Sequence, residues 1–101
     1  MTVKPTQNGN KYTLTLQGRL DTTTAPELQA MLIPALDDAG ISVVELDFAE
    51  LEYISSAGLR VLLLGQKTAK KKDKSQIILN VRDEITEIFE MTGFSEFLSL
   101  G

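Results

Sequence analysis

Two serines, Ser55 and Ser56, stand beside Ala57 and Gly58 in the stretch EYISSAGLRVLLLG, between an apolar segment and an almost unbroken aliphatic run. A serine hydroxyl can serve as a nucleophile, a phosphate acceptor or a helix cap. Nucleophilic use needs an activating base within reach. The chain has no histidine and no cysteine, so a Ser-His-Asp hydrolase, a thiolate enzyme and a zinc site built on either residue each lack their central group. No Ser-x-x-Lys pattern starts at either serine. A serine-nucleophile enzyme would have to rely on a lysine or aspartate activator alone.

Two other clusters carry charge without clear chemistry. Five of the seven lysines fall between Lys67 and Lys74, with no interleaved aromatic and a net charge of −4. They read as the solvated end of a helix, which the helix dipole favours, rather than as a nucleic-acid patch. Asp83, Glu84 and Glu87 read as first-turn helix acids rather than a metal cluster. Phe48, Tyr53, Phe89, Phe94 and Phe97 suit core or rim positions better than a cofactor platform. No cofactor or metal is expected.

The elements that must position the serines follow from periodicity. Val3 to Gln7 and Lys11 to Gln17 flank Asn8-Gly9, a pair suited to a tight hairpin turn, and Pro5 puts the first strand at a sheet edge. Thr24 and Glu27 have capping-box spacing, and Leu28, Met31, Leu32, Ala35, Leu36 and Ala39 follow at helical intervals until Gly40. Pro34 predicts a kink in that helix. Ser42 to Phe48 reads as a strand, and Ala57 to about Lys72 as a helix whose Val61, Leu62, Leu63 and Leu64 are too apolar for an exposed surface. Ser75 to Val81 reads as a short strand buried on both faces. Asp83 to Thr92 completes the helices and stops at Gly93, with Phe94 to Leu100 as a terminal strand or short helix. The order β-β-α-β-α-β-α predicts a compact α/β domain with a mixed sheet and a right-handed crossover.

The 101 residues are enough for one core and too few for two, with 43% hydrophobic and 24% charged residues. The absence of cysteine fits a reducing cytoplasm. The N-terminal stretch has no apolar signal region, and the run Val61 to Leu64 is far short of the roughly 20 residues a membrane span requires. Charge is segregated: Asp21 to Glu52 carries eight acids and no base, whereas Arg60 to Arg82 carries seven bases and one acid.

On this plan Ser55 and Ser56 fall where a buried strand hands over to a helix, at the carboxyl ends of parallel strands. Both can be simple caps. The same place is where open α/β domains put their binding sites, and the free N–H groups of a helix start welcome an anion such as phosphate. One serine suffices for a cap, which leaves the second available for modification.

The segments GRLDTTTAPEL (Gly18 to Leu28), VVELDF (Val43 to Phe48), YISSAGLRVLL (Tyr53 to Leu63) and MTGFSEFLSL (Met91 to Leu100) resemble, in order and spacing, the STAS domains of bacterial anti-sigma factor antagonists. The resemblance implies one STAS domain over residues 1–101. In that family the loop before the helix typically reads Asp-Ser-(Ser/Thr)-Gly-Leu, and the serine after the Asp is phosphorylated by a partner that is both anti-sigma factor and kinase. Aligned on Gly58-Leu59, the acceptor is Ser56, with Ala57 in the Ser/Thr place and Ser55 in the Asp place, so that Ser55 is a second candidate. Asp21 matches a partner-contacting aspartate. Thr22, Ser55, Ser56 and Gly58 join the expected partner-binding set, and Arg60, facing out one turn into the helix, is either a further partner contact or a simple surface arginine.

The implied function is a switch without enzymatic activity: the unmodified form binds an anti-sigma factor serine/threonine kinase and frees a sigma factor, and phosphorylation ends binding. The implied state is a monomer or weak homodimer, cytoplasmic, engaging neither nucleic acid nor membrane. A STAS scaffold in a stress-sensing or lipid-transport assembly is the alternative within the same fold. Family members often continue into a C-terminal helix, whereas this sequence stops at Gly101, an arrangement expected to leave part of the sheet uncovered for a partner or dimer.

Energetics favour an interface switch over refolding. A phosphate adds roughly 1.5 to 2 negative charges. At a helix N-terminus that is worth about 0.3 to 1 kcal/mol against a domain stability of roughly 5 to 15, whereas a mismatched buried charge at an interface costs about 2 to 5.

Overall fold

The computed structural model describes residues 1–96 and Leu98. Alternating apolar residues build the sheet. Strand β1 (Thr2–Asn8) and strand β2 (Lys11–Leu20) pair antiparallel, from Thr2 opposite Gln17 to Asn8 opposite Lys11. The turn itself is Gly9-Asn10, one residue later than the Asn-Gly pair suggests, and Gly9 supplies the positive φ of 64°. Strand β3 (Val43–Ile54) pairs parallel with β2, and strand β4 (Ser75–Leu79) pairs parallel with β3. The sheet order β1-β2-β3-β4 puts the proline-bearing β1 at one edge, as expected. It also puts β4 at the other edge, which corrects the expectation of a strand buried on both faces. Gln76 and Ile78 are buried, while Ile77 and Leu79 on the opposite face are only half-buried.

Helices α1 (Ala25–Asp37), α2 (Ser56–Lys71) and α3 (Asp83–Thr92) follow the predicted order, with a 3-10 turn at Phe94–Glu96. The terminal element expected over residues 94 to 100 otherwise falls largely outside the described residues. Leu14, Leu16, Val44, Leu46, Phe48 and Ile78 on the sheet, all fully buried, form one core with Leu28, Leu32, Leu36, Leu62, Ile85 and Phe89 from the helices. The alternate positions Thr13, Thr15, Glu45 and Asp47 are half-buried and polar, so the sheet has one oily and one wet face. On the wet face Glu45 accepts from the Thr13 hydroxyl and pairs with Lys11.

Strand β3 runs six residues beyond Phe48, where alternation in the sequence breaks. Two register shifts against β2 explain the break: Thr15 faces Asp47 and Gln17 faces Glu50, then Gly18 faces Leu51 and Arg19 faces Tyr53. Each shift inserts an extra β3 residue, so Phe48, Leu51 and Ile54 come at intervals of three and still point into the core. Gly18, with φ of 104°, takes a backbone conformation at this irregularity that side chains disfavour.

The ends of the helices depart from the sequence reading in informative ways. Thr24 does not close a capping box with Glu27; its own side chain makes no cap bond to α1, and donates instead to the Arg19 carbonyl at 2.8 Å. Helix α1 holds Pro34 in its interior and stops at Asp37, where Asp38 is extended and its carboxylate accepts from the Gly40 N–H. The stop therefore belongs to Asp38 rather than to Gly40. Helix α3 ends as expected, on Gly93 in the left-handed region at φ of 79°. The segregated charges meet at the far end of the molecule: Lys72 pairs with Asp37 at 2.9 Å, and the Lys74 ammonium donates to the Asp38 carbonyl.

Candidate functional site

The carboxyl ends of β2 and β3 lie side by side, Leu20 opposite Ile54, and each hands its chain to a loop and helix. The two loops are tied directly: the Ser55 N–H donates to the Leu20 carbonyl at 2.9 Å. Asp21, next after Leu20, is thereby brought beside the two serines, although the sequence separates them widely.

Ser55 and Ser56 have different jobs. Ser55 is the N-cap of α2, extended at φ −99° and ψ 175°, and its Oγ accepts from the Gly58 N–H at 3.4 Å, a long bond. Its carbonyl accepts the first helical bond from the Leu59 N–H. Ser56 is the first helical residue, exposed, and its hydroxyl makes no hydrogen bond among the described residues. An exposed, unengaged hydroxyl beside the positive end of a sixteen-residue helix is the arrangement a phosphoryl acceptor needs.

Gly58 is buried, and a Cβ there would fall 2.8 Å from both Ile54 Cγ1 and Leu20 Cγ. Its lack of a side chain lets α2 close on the strand ends. Asp21 is half-buried and builds its own loop: one carboxylate oxygen accepts from the Thr23 N–H and the Thr24 N–H at 3.0 and 3.1 Å, and at 3.2 Å it shares the Thr24 hydroxyl proton with the Arg19 carbonyl. The Thr24 N–H contributes most to holding the Asp21 carboxyl below its ordinary pKa, with the Thr23 N–H, the Thr24 hydroxyl and the Arg19 guanidinium adding to it and partial desolvation opposing. Arg19 in turn lies over the Tyr53 ring, 4.2 Å from its centroid.

Thr22 and Arg60 line the head of an open groove between α1 and α2, of about 400 Å³, with Ala57, Pro26, Gln29 and Leu64. A second hollow continues it along Ile33, Pro34 and Thr68. The sequence reading assigned Leu64 to the interior; it is 40% exposed and belongs to this groove. Its signal was present as spacing, since Ser56, Arg60 and Leu64 recur every four residues on one stripe of α2. Pro26 and Gln29 gave no such signal. The acids Glu50 and Glu52 face a separate hollow with Arg82, and Asp47 accepts from the Asn80 side chain and the Ala49 N–H. Among the described residues, no three His, Cys, Asp or Glu side chains gather to hold a metal, and no helix is long and apolar enough to cross a membrane.

A four-stranded mixed sheet with its serine-bearing loop capping α2 defines the class, and comparison with known proteins agrees. The family model described as "Mlab, STAS domain" matches residues 3–100, and the chain belongs to the STAS domain family. An anti-sigma-B factor antagonist of Staphylococcus aureus is 30% identical over 98 residues, covering 97% of this chain and 90% of that protein. BtrV of Bordetella bronchiseptica, named as an anti-sigma factor antagonist, is 38% identical over 79 residues, covering 78% of this chain and 67% of that protein. Among solved structures, Bacillus SpoIIAA in its phosphorylated form is similar in fold, with a TM-score of 0.78 at 16% identity, covering 99% of this chain and 91% of that one. The expected membership among the STAS domains of anti-sigma factor antagonists is borne out by the family match and the two sequence relatives, and SpoIIAA shares the fold.

Proposed function

We propose that this chain is a phosphorylation-controlled anti-sigma factor antagonist. Its unmodified form binds an anti-sigma factor serine/threonine kinase through the surface formed by Asp21, Thr22, Ser55, Ser56 and Arg60, and so frees a sigma factor. The kinase then phosphorylates Ser56 and the complex separates. The chain is the binding partner and substrate in this reaction, not an enzyme.

The observation that carries the reading is the exposed and unbonded Ser56 hydroxyl at the first position of α2, beside a neighbour that already does the capping. The names of the sequence relatives support the antagonist role, and the phosphorylated state of SpoIIAA supports a fold of this kind accepting a phosphate. A dianion placed on a docking surface costs on the order of several kcal/mol in binding, whereas each 1.4 kcal/mol is about a factor of ten in affinity. Release therefore needs no change of fold.

The test is incubation of the chain and of Ser56→Ala with candidate anti-sigma kinases and ATP, with the modified residue located by mass spectrometry. The parent is expected to take one phosphate at Ser56, and the alanine variant to bind the kinase yet remain unlabelled. Equal labelling of both would overturn the assignment, and phosphate on Ser55 would transfer it.

A further inference from the structure

Resting on the reading of Ser56 as acceptor, we infer that Arg60 is a built-in receptor for the Ser56 phosphate, so that modification both adds an anion and withdraws the cation from the groove between α1 and α2. Ser56 and Arg60 are four residues apart on α2 and both exposed. Residues at that spacing stand about 5 to 6 Å apart at Cβ on one helix face, with the arginine one turn further in. The guanidinium forms no salt bridge among the described residues. It is the one charged group among the residues lining the head of the groove.

The surroundings direct the phosphate toward Arg60. On the loop joined to the serines, the Asp21 carboxylate repels a second anion, and its three hydrogen bonds fix it in place. Arg19, the other base near this loop, lies over Tyr53. Planar guanidinium and phosphate oxygens suit a bidentate, charge-assisted pair. Ser55 is one residue too far from Arg60 for the same helical spacing, and its Oγ is turned to the Gly58 N–H. The pairing is therefore specific to position 56, and a partner that met a free Arg60 beside apolar Leu64 and Ala57 meets a neutralised one after modification.

The experiment installs phosphoserine during translation at position 56 of the full chain, in the parent and in Arg60→Gln, and follows the phosphate by ³¹P NMR across its second ionisation. The pKa is expected to be lower in the parent than in Arg60→Gln by about 0.2 to 0.7, the scale of an exposed ion pair, with Arg60→Lys between them. The same titration with phosphoserine at position 55 should differ little between the two backgrounds. Matching curves for phospho-Ser56 in parent and Arg60→Gln would overturn the inference, as would an equal Arg60 dependence at both positions. Because Arg60 is exposed, the variants should fold, which circular dichroism checks. No kinase enters the measurement, so a chain that no kinase modifies still reports on the pairing, and the two failures are separable.

Discussion

The N–H of Ser55 donates to the carbonyl of Leu20 at 2.9 Å, joining the last residue of β2 to the cap of α2. The bond extends the β2–β3 ladder that places the Asp21 loop and the serine loop at one corner, where Ser56 is exposed. Ser55→Ala should therefore cost stability, about 0.5 to 1 kcal/mol at the low end for a cap because its bond to Gly58 is long. Ser56→Ala should change stability by less than about 0.5 kcal/mol. Urea unfolding of the two variants checks the division of labour, and a larger loss from Ser56→Ala would contradict it.

Asp21 links stability to pH. Its folded pKa is depressed, so its charge stabilises the native state above the unfolded value of about 3.9 and stops doing so as pH falls through the lower folded value. Asp21→Asn keeps an oxygen to accept the loop N–H groups but removes the charge. Its melting temperature should lie below the parent's at neutral pH, with the gap closing in acid below the ordinary aspartate range. A gap independent of pH would show that packing, not charge, is lost.

Gly58 is required by close approach. An added Cβ would press on Ile54 and Leu20 at 2.8 Å. Overpacking of this kind costs about 1 to 3 kcal/mol, partly offset by roughly 1 kcal/mol of improved helix propensity. Gly58→Ala is expected to be destabilising on balance, measured as a lower urea midpoint, and to weaken partner binding by tilting the start of α2. A stabilised Gly58→Ala protein would show that the strand ends yield.

Gln76 is the buried polar residue beneath α2. It is 1% exposed and donates to the Leu62 carbonyl at 3.0 Å, and its own Oε1 finds no protein donor among the described residues. Gln76→Met keeps the shape but removes both the unpartnered oxygen and the donor to the Leu62 carbonyl, opposing effects that are expected to leave stability within about 1 kcal/mol of the parent. Gly65→Ala is the opposite case, since its Cβ would lie 2.0 Å from Gln76 Oε1 and 2.7 Å from Leu32 Cδ2. It should destabilise by about 2 kcal/mol or more, and a double-mutant cycle with Gln76→Ala should reveal coupling of about 1 kcal/mol between the two sites. Additive losses would mean that Leu32 alone accounts for the clash.

Much of the architecture was legible because it is local. Alternation in Tyr12, Leu14 and Leu16 announced β2, Pro5 announced an edge, and the helical spacing of Ile85, Ile88 and Phe89 announced α3. The second half of β3 was not legible, because its two bulges replace a period of two with intervals of three, and a bulge is a relation to the neighbouring strand. Leu64 was misplaced for a related reason: an apolar residue on a helix reads as interior unless the neighbouring helix leaves a groove beside it.

The candidate site divides along the same line. By its residue types alone the chain excluded histidine and thiol chemistry, set two hydroxyls at a strand-to-helix junction and carried the family's loop motif. Which hydroxyl is spent on capping, that Asp21 stands beside them with its carboxylate folded into its own turn, and that Arg60 heads an apolar groove were decided by tertiary structure. Those relations depend on the register of β2 against β3 and on the packing of α1 against α2. Such contacts join residues distant in the chain, where no local periodicity or propensity carries the information.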